Sequence, residues 1–259
     1  MKQIISPHNS QLKHLAKLGT SAKYRRECRQ TVLEGTHLLD ALLQTGTQPQ
    51  QVYLAQSCLD KPEIQNLLSR IPPAHTTAVE DRLLAKASAL ADGGSILSLT
   101  GIPETAAPPQ SGDCVVLEHI QDPGNIGTIL RSAAAAGIYQ IIADTGCADL
   151  WSPKVLRSAM GAHFLLRLYP AADLKAWRQS YESPLFATTL AENSISLYRI
   201  NLRQPCAWLF GNEGGGITPA AGNAATHTVK IPMSGATESL NVAMAATVCL
   251  FEQMRQRLG

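Results

Sequence analysis

The chain has 259 residues, 45% of them hydrophobic and 16% charged, with a net charge of +2. That length exceeds one ordinary core of about 150 residues and suits two, and the composition excludes disorder as the main state. No apolar stretch meets the roughly 18 uncharged residues of a membrane helix, and residues 1–10 lack the apolar core of a signal peptide. A cytoplasmic protein with no membrane association is therefore expected.

In chain order, residues 9–18 read as a helix, with Leu12, Leu15 and Leu18 at helical spacing. Residues 31–33 favour a strand, and Thr36 is a candidate cap for a helix over 37–43. Then follow a strand at 51–54, a proline-opened helix at 62–68, a strand at 75–79, a helix at 81–87 and a strand at 95–99. The alternation predicts a small sheet flanked by helices. Residues 102–113, with three prolines and small polar residues, suit an exposed linker. The expected division is 1–102, a linker at 103–112, and a second domain from 113 to 259.

Beyond the linker the alternation is clearer. Strands are expected at 114–117, 139–143, 164–168, 185–188, 207–210 and 228–231. Helices are expected at 126–136, 153–160, 173–180 and from Ser239 to about Arg257. This order predicts a largely parallel sheet covered on both faces, with ligands beyond the carboxyl ends of its strands.

Charge is unevenly spread. Lys2, Lys13, Lys17, Lys23, Arg25, Arg26 and Arg29 against Glu27 and Glu34 give residues 1–37 a net +5, which leaves −3 for the remainder. Such a segment is the footprint of a polyanion contact, although a solvated helix face has the same composition. The six cysteines, Cys28, Cys58, Cys114, Cys147, Cys206 and Cys249, form no CxxC or Cys/His cluster, so neither a zinc site nor a catalytic thiol is supported. Cys114, Cys206 and Cys249 lie in apolar runs and read as core residues.

Three polar segments break the apolar pattern at strand ends. In the first, Asp122-Pro123-Gly124-Asn125, a tight turn precedes a helix that Asn125 could cap and that carries Arg131 in its second turn. In the second, Gly211-Asn212-Glu213-Gly214-Gly215-Gly216, successive glycines allow close backbone approach to a ligand. It is neither a P-loop nor a GxGxxG dinucleotide turn. In the third, Ile231-Pro232-Met233 leads through a polar loop into the last helix, with Thr237 or Ser239 as candidate caps. Asn241 fits either a cap or a ligand contact.

Taken together, NxGxxxR at 125–131, FGNEGxG at 210–216 and IPM…ESLNVAxAA at 231–246 resemble the three motifs of the SpoU/TrmH branch of the SPOUT superfamily of RNA methyltransferases. KVLRSAMGA at 154–162 and the stretch with Tyr24-Arg25 and Val32-Leu33-Glu34-Gly35 extend the likeness over nearly the whole chain. The resemblance implies an α/β fold with a deep trefoil knot in the C-terminal parallel-sheet domain, preceded by a smaller L30e-like RNA-binding domain. It implies transfer of methyl from S-adenosylmethionine to a ribose 2′-hydroxyl in structured RNA, ribosomal more than transfer RNA, by a homodimer that uses no metal. Arg131, Asn125, Glu213, Ser239 and Asn241 would form the catalytic set, with Glu213 able to orient Arg131 as a bidentate pair. Leu209, Gly211, Gly216, Ile231, Met233 and Leu240 would hold the cofactor, which leaves the protein as S-adenosylhomocysteine. Lys23, Tyr24, Arg25, Arg26 and Arg29 would contact RNA. The alternatives are a transfer-RNA 2′-O-methyltransferase, a base-nitrogen methyltransferase, a non-catalytic RNA binder on the same fold, and a nucleotide hydrolase using the glycine-rich loop.

Overall fold

A computed structural model describes residues 2–90 and 95–258. Two units emerge, and residues 151–164 fold as part of the first although they lie late in the chain. The first unit runs through Glu104 and adds Trp151–Phe164; the second comprises Thr105–Leu150 and Leu165 onward.

The elements before the linker are β1 (Lys2–Ile4), α1 (Ser10–Thr20), α2 (Ala22–Cys28), β2 (Gln30–Glu34), α3 (Thr36–Gln44), β3 (Gln51–Ala55), α4 (Pro62–Leu68), β4 (Thr76–Val79), α5 (Asp81–Ala87) and β5 (Ile96–Gly101). The sheet order is β1-β4-β3-β5-β2, parallel from β1 to β3 and antiparallel where β5 meets β3 and β2. Leu12, Leu15 and Leu18 of α1 enter its core at the spacing the sequence predicts. Asn9 caps α1 by accepting from the Gln11 and Leu12 amides. α3 departs from expectation: its cap is Gly35, at φ +95, and Thr36 already lies in the first turn. A positive φ there suits a residue without Cβ.

After the linker come β6 (Cys114–Leu117), α6 (Pro123–Ala135), β7 (Gln140–Ala143), α7 (Pro153–Ala159), β8 (Arg167–Tyr169), α8 (Leu174–Ser180), β9 (Leu185–Thr188), β10 (Ile195–Ser196), β11 (Ala207–Phe210), α9 (Pro219–Ala224), β12 (His227–Lys230) and α10 (Val242–Leu258). Of these α7 belongs to the first unit and packs on β2; there Thr31 Oγ1 donates to the Trp151 carbonyl at 2.8 Å. The others form the second unit, whose seven strands are all parallel in the order β10-β12-β9-β11-β6-β7-β8. The linker is not free, for Pro109 accepts from the Trp177 indole at 2.8 Å and Gln110 from the Glu182 amide at 2.8 Å.

β6 and β11 are buried along their whole length, as expected of strands covered on both faces. From β6 the chain moves through β7 to β8, whereas β9 lies on the opposite side beyond β11. The order thus reverses at the β11/β6 pair, the kind of switch point beyond which such sheets bind ligands.

Candidate active site

The three polar segments leave the carboxyl ends of β6, β11 and β12, as their sequence positions predict. At the end of β6, Asp122 rather than Asn125 caps α6, its Oδ1 accepting from the Asn125 amide at 2.8 Å. Asn125 sits in the first turn with its side chain released for other contacts. That side chain donates from Nδ2 to Glu213 Oε1 at 2.7 Å and accepts at Oδ1 from Asn241 Nδ2 at 2.9 Å. Residues 116 positions apart are thereby joined.

Beyond β11 the glycine-rich segment closes on itself, with reciprocal backbone bonds between Asn212 and Gly216 at 3.0 and 2.9 Å. The Asn212 side chain pins it from within. Its Oδ1 accepts from the Gly214 and Gly215 amides at 2.9 and 3.0 Å, so its Nδ2 is left to donate to the His119 carbonyl at 2.9 Å. Gly211 must be glycine for a packing reason, since a Cβ there would meet the Gly216 carbonyl group at 2.4 Å. Beneath the loop the buried Glu118 carboxylate accepts from the Thr218 amide and hydroxyl at 2.8 and 2.7 Å, which ties β6 to the segment after β11.

Beyond β12 the cap of α10 is Asn241, not Thr237 or Ser239. Its Oδ1 accepts from the Ala243 and Met244 amides at 2.9 and 3.3 Å, and its carbonyl accepts from Ala245. α10 therefore begins at Val242 rather than at Ser239. Among the described residues, the peptide groups of 232–240 make no hydrogen bond with protein, and Met233 and Leu240 remain 37% and 41% exposed. Free backbone donors and acceptors beside uncovered apolar side chains fit a ligand with a purine-like face and polar edges. A bound S-adenosylmethionine suits that combination.

Not every expected residue joins this cluster. Arg131 is exposed on α6, and among the described residues its guanidinium has no hydrogen bond or ion pair; the bidentate pairing with Glu213 is not formed, because Glu213 is turned to Asn125. Ser239 is exposed and likewise without a partner among the described residues. The Leu209 side chain belongs to the core of the second unit, whereas Ile231 is half-buried and Gly216 exposed. In the first unit Arg25 is buried, its guanidinium donating to the Leu18 and Gly19 carbonyls, so it locks the α1–α2 turn and leaves the RNA-contact set. Tyr24 is half-covered, with Lys17 over its ring at 4.0 Å and its hydroxyl 2.9 Å from His14 Nδ1. Arg29 pairs with Glu104; Lys23 and Arg26 are exposed. No group of three or more His, Cys, Asp or Glu residues among those described could hold a metal ion. Sequence reasoning missed Asp122 and Glu118, whose signal lies in caps and turn bonds rather than in the motif letters, and gave no role to Asn212 although the second motif contains it.

Comparison with known proteins settles what this arrangement belongs to. Residues 113–251 match the SpoU rRNA Methylase family. The chain belongs to that family. It is 34% identical over 258 residues to an uncharacterised tRNA/rRNA methyltransferase of Synechocystis, covering 98% of this chain and 94% of that one. It is 30% identical to the 23S rRNA (guanosine(2553)-2′-O)-methyltransferase of Bacillus subtilis, covering 97% and 98%. The solved structure of an S-adenosylmethionine-bound rRNA methyltransferase from Sinorhizobium meliloti superimposes with a TM-score of 0.84 at 26% identity, over 100% of this chain and 99% of that one. No helix among the described residues of this SpoU-family chain is long and apolar enough to cross a membrane.

Proposed function

We propose that this SpoU-family methyltransferase moves the methyl group of S-adenosylmethionine to a ribose 2′-hydroxyl of ribosomal RNA, at the carboxyl ends of β6, β11 and β12. The observation that carries the reading is the hydrogen-bonded union of Asn125, Glu213 and Asn241, one residue from each family motif, at the switch point of the parallel sheet. The 2′-O specificity and the ribosomal substrate named for the Bacillus subtilis relative support the choice of acceptor.

The cofactor supplies an electrophilic methyl on a sulfonium, so little covalent help is needed from the protein, which orients the reactants. The 232–240 backbone, with Ile231, Met233 and Leu240, would hold the cofactor, and the closed loop from Gly211 to Gly216 would wall the site. Arg131 is assigned an electrostatic role rather than that of a base. Its charge, unpartnered among the described residues, stabilises the negative charge developing on the ribose oxygen and grips an adjacent phosphate. In the first unit, Lys23 and Arg26, with Lys13 and Lys17 on α1, are the cations that meet RNA.

A second copy of the chain completes the enzyme. Met244 and Phe251, 49% and 38% exposed, lie seven residues apart on one face of α10, and a partner's apolar face would cover them. The knotted path implied by the family is assigned to the chain between β11 and α10.

The deciding experiment is labelled-methyl transfer to ribosomal RNA, with the modified nucleoside mapped. Arg131→Ala is expected to lower turnover about 100-fold or more, with cofactor affinity nearly intact by calorimetry. Turnover within a few-fold of the parent would overturn the role given to Arg131; a methyl found only in transfer RNA or on a base nitrogen would overturn the acceptor.

A further inference from the structure

The bonds joining the three motifs have a direction. Backbone amides can only donate, so the Asn241 atom that receives Ala243 and Met244 is its carbonyl oxygen, and the atom facing Asn125 is its NH2. Asn125 must then present its own oxygen to Asn241, and only its NH2 remains for Glu213. The far end of the chain of bonds accepts, as an ionised carboxylate does.

We infer that Asn241 and Asn125 are positioning residues: the cap of α10 fixes the polarity of a hydrogen-bond relay that holds Glu213, and with it the glycine-rich loop, in its cofactor-binding shape. This rests on the functional reading above only in its cofactor readout. Asp122 contributes by capping α6 in place of Asn125, which leaves the Asn125 side-chain amide free to serve as the middle link.

The polarity makes a specific demand on substitutions. In Asn241→Asp the cap survives, because a carboxylate oxygen also accepts from Ala243 and Met244. The second oxygen cannot donate, so Asn125 turns over to donate to it and then faces Glu213 with its own oxygen. Two acceptors oppose each other and the loop is pushed away. Replacing Glu213 by Gln repairs this, because the new NH2 donates to the turned Asn125 and the whole relay runs backwards. The double variant N241D/E213Q merely exchanges carboxylate and amide between the relay's two ends. Asn125→Asp offers a second route: it still accepts from Asn241 but repels Glu213, and E213Q again supplies the missing donor.

The test is a pair of double-mutant cycles on the full-length chain, with S-adenosylmethionine affinity read by calorimetry and unfolding followed in urea. Asn241→Asp and Asn125→Asp are each expected to weaken cofactor binding about tenfold, the order of one lost bond to a charged group. Glu213→Gln should improve binding in both of these backgrounds and not in the parent, a reversal of sign that a purely structural role for the asparagines would not produce. Parent-like binding by both single variants, or no improvement from E213Q in either background, would overturn the relay. If the parent itself bound no cofactor, the functional reading would fall, while the coupling sign in urea would still decide the relay. Should N241D fail to fold, the N125D cycle decides alone, since it leaves the α10 cap untouched.

Discussion

At the scale of single residues, this site is governed by where hydrogen-bond donors and acceptors run out. Asn212 and Asn241 behave alike: each spends its oxygen on two backbone amides and so must aim its NH2 at another segment. Gly211 shows the complementary limit, in which space rather than polarity decides. A methyl at that position would lie 2.4–2.5 Å from backbone atoms of Gly216 and Ile217, which cannot yield as a side-chain tip could. Gly211→Ala is therefore expected to force open the Asn212–Gly216 closure and to cut cofactor affinity about tenfold or more, against a stability loss of about 1–3 kcal/mol from overpacking. Calorimetry and urea unfolding would check the two parts; unchanged affinity would show that the closure is not needed for binding.

At the scale of elements, α10 is held at both ends by polar groups. Its start is the Asn241 cap; its last two turns are clamped to the beginning of β6. The Asp113 carboxylate accepts from the Cys206 amide at 3.0 Å, from Gln253 Nε2 at 2.8 Å and from Arg257 Nη1 and Nη2 at 2.6 and 3.0 Å, while buried Gln253 also takes the Trp208 indole at 2.6 Å. Asp113→Ala leaves several of these donors without a partner and should cost about 2–3 kcal/mol, read as a lower urea midpoint; a loss under half of that would mean water substitutes for the carboxylate. Asp113 carries no motif signal, because its partners come from 93 to 144 residues away. The elements themselves were far more legible. β6, β9, β11 and α4 lie where apolar runs, β-branched residues and a leading proline place them, since those signals are local. β10 is two residues long and β1 three, too short for any periodicity to show. α2 offers no apolar stripe to read, because four of its seven residues are charged and only Arg25 among them is buried. β8 begins at Arg167, later than the apolar run at Phe164 suggests, because Gly161 at φ +85 and a short 3-10 turn at Ala162–Phe164 intervene. In the site, the motif letters located the loops correctly, but the bonds from Asn125 to Glu213 and Asn241, 88 and 116 residues away, depend on the fold and not on local sequence.

At the scale of the whole molecule, the cysteines give the protein a pH limit. Burial pushes the Cys114, Cys147 and Cys206 thiols up to about 12 and Cys249 higher still. The fold thus favours the protonated thiol, and an unfolded chain releases its protons near the ordinary thiol range of about 8.5–9. This contribution is therefore complete below about pH 9 and is lost as the pH climbs towards 12. Urea midpoints measured from about pH 8 to 11 should fall progressively, and Cys206→Ser should flatten the decline; a midpoint that stays constant across that range would contradict the assignment.

The placement of Trp151–Phe164 in the first unit bears on how the protein is made. β2 cannot acquire α7 until Phe164 has left the ribosome, although β5, its other partner, ends at Gly101. Translation at about 5–20 residues per second keeps that sheet edge waiting for roughly 3–13 s. During this delay β6, α6 and β7 are synthesised, so part of the second unit leaves the ribosome before the first unit has all of its chain. Nascent-chain folding is thereby scheduled by a short detour, from Trp151 to Phe164, in the chain's path.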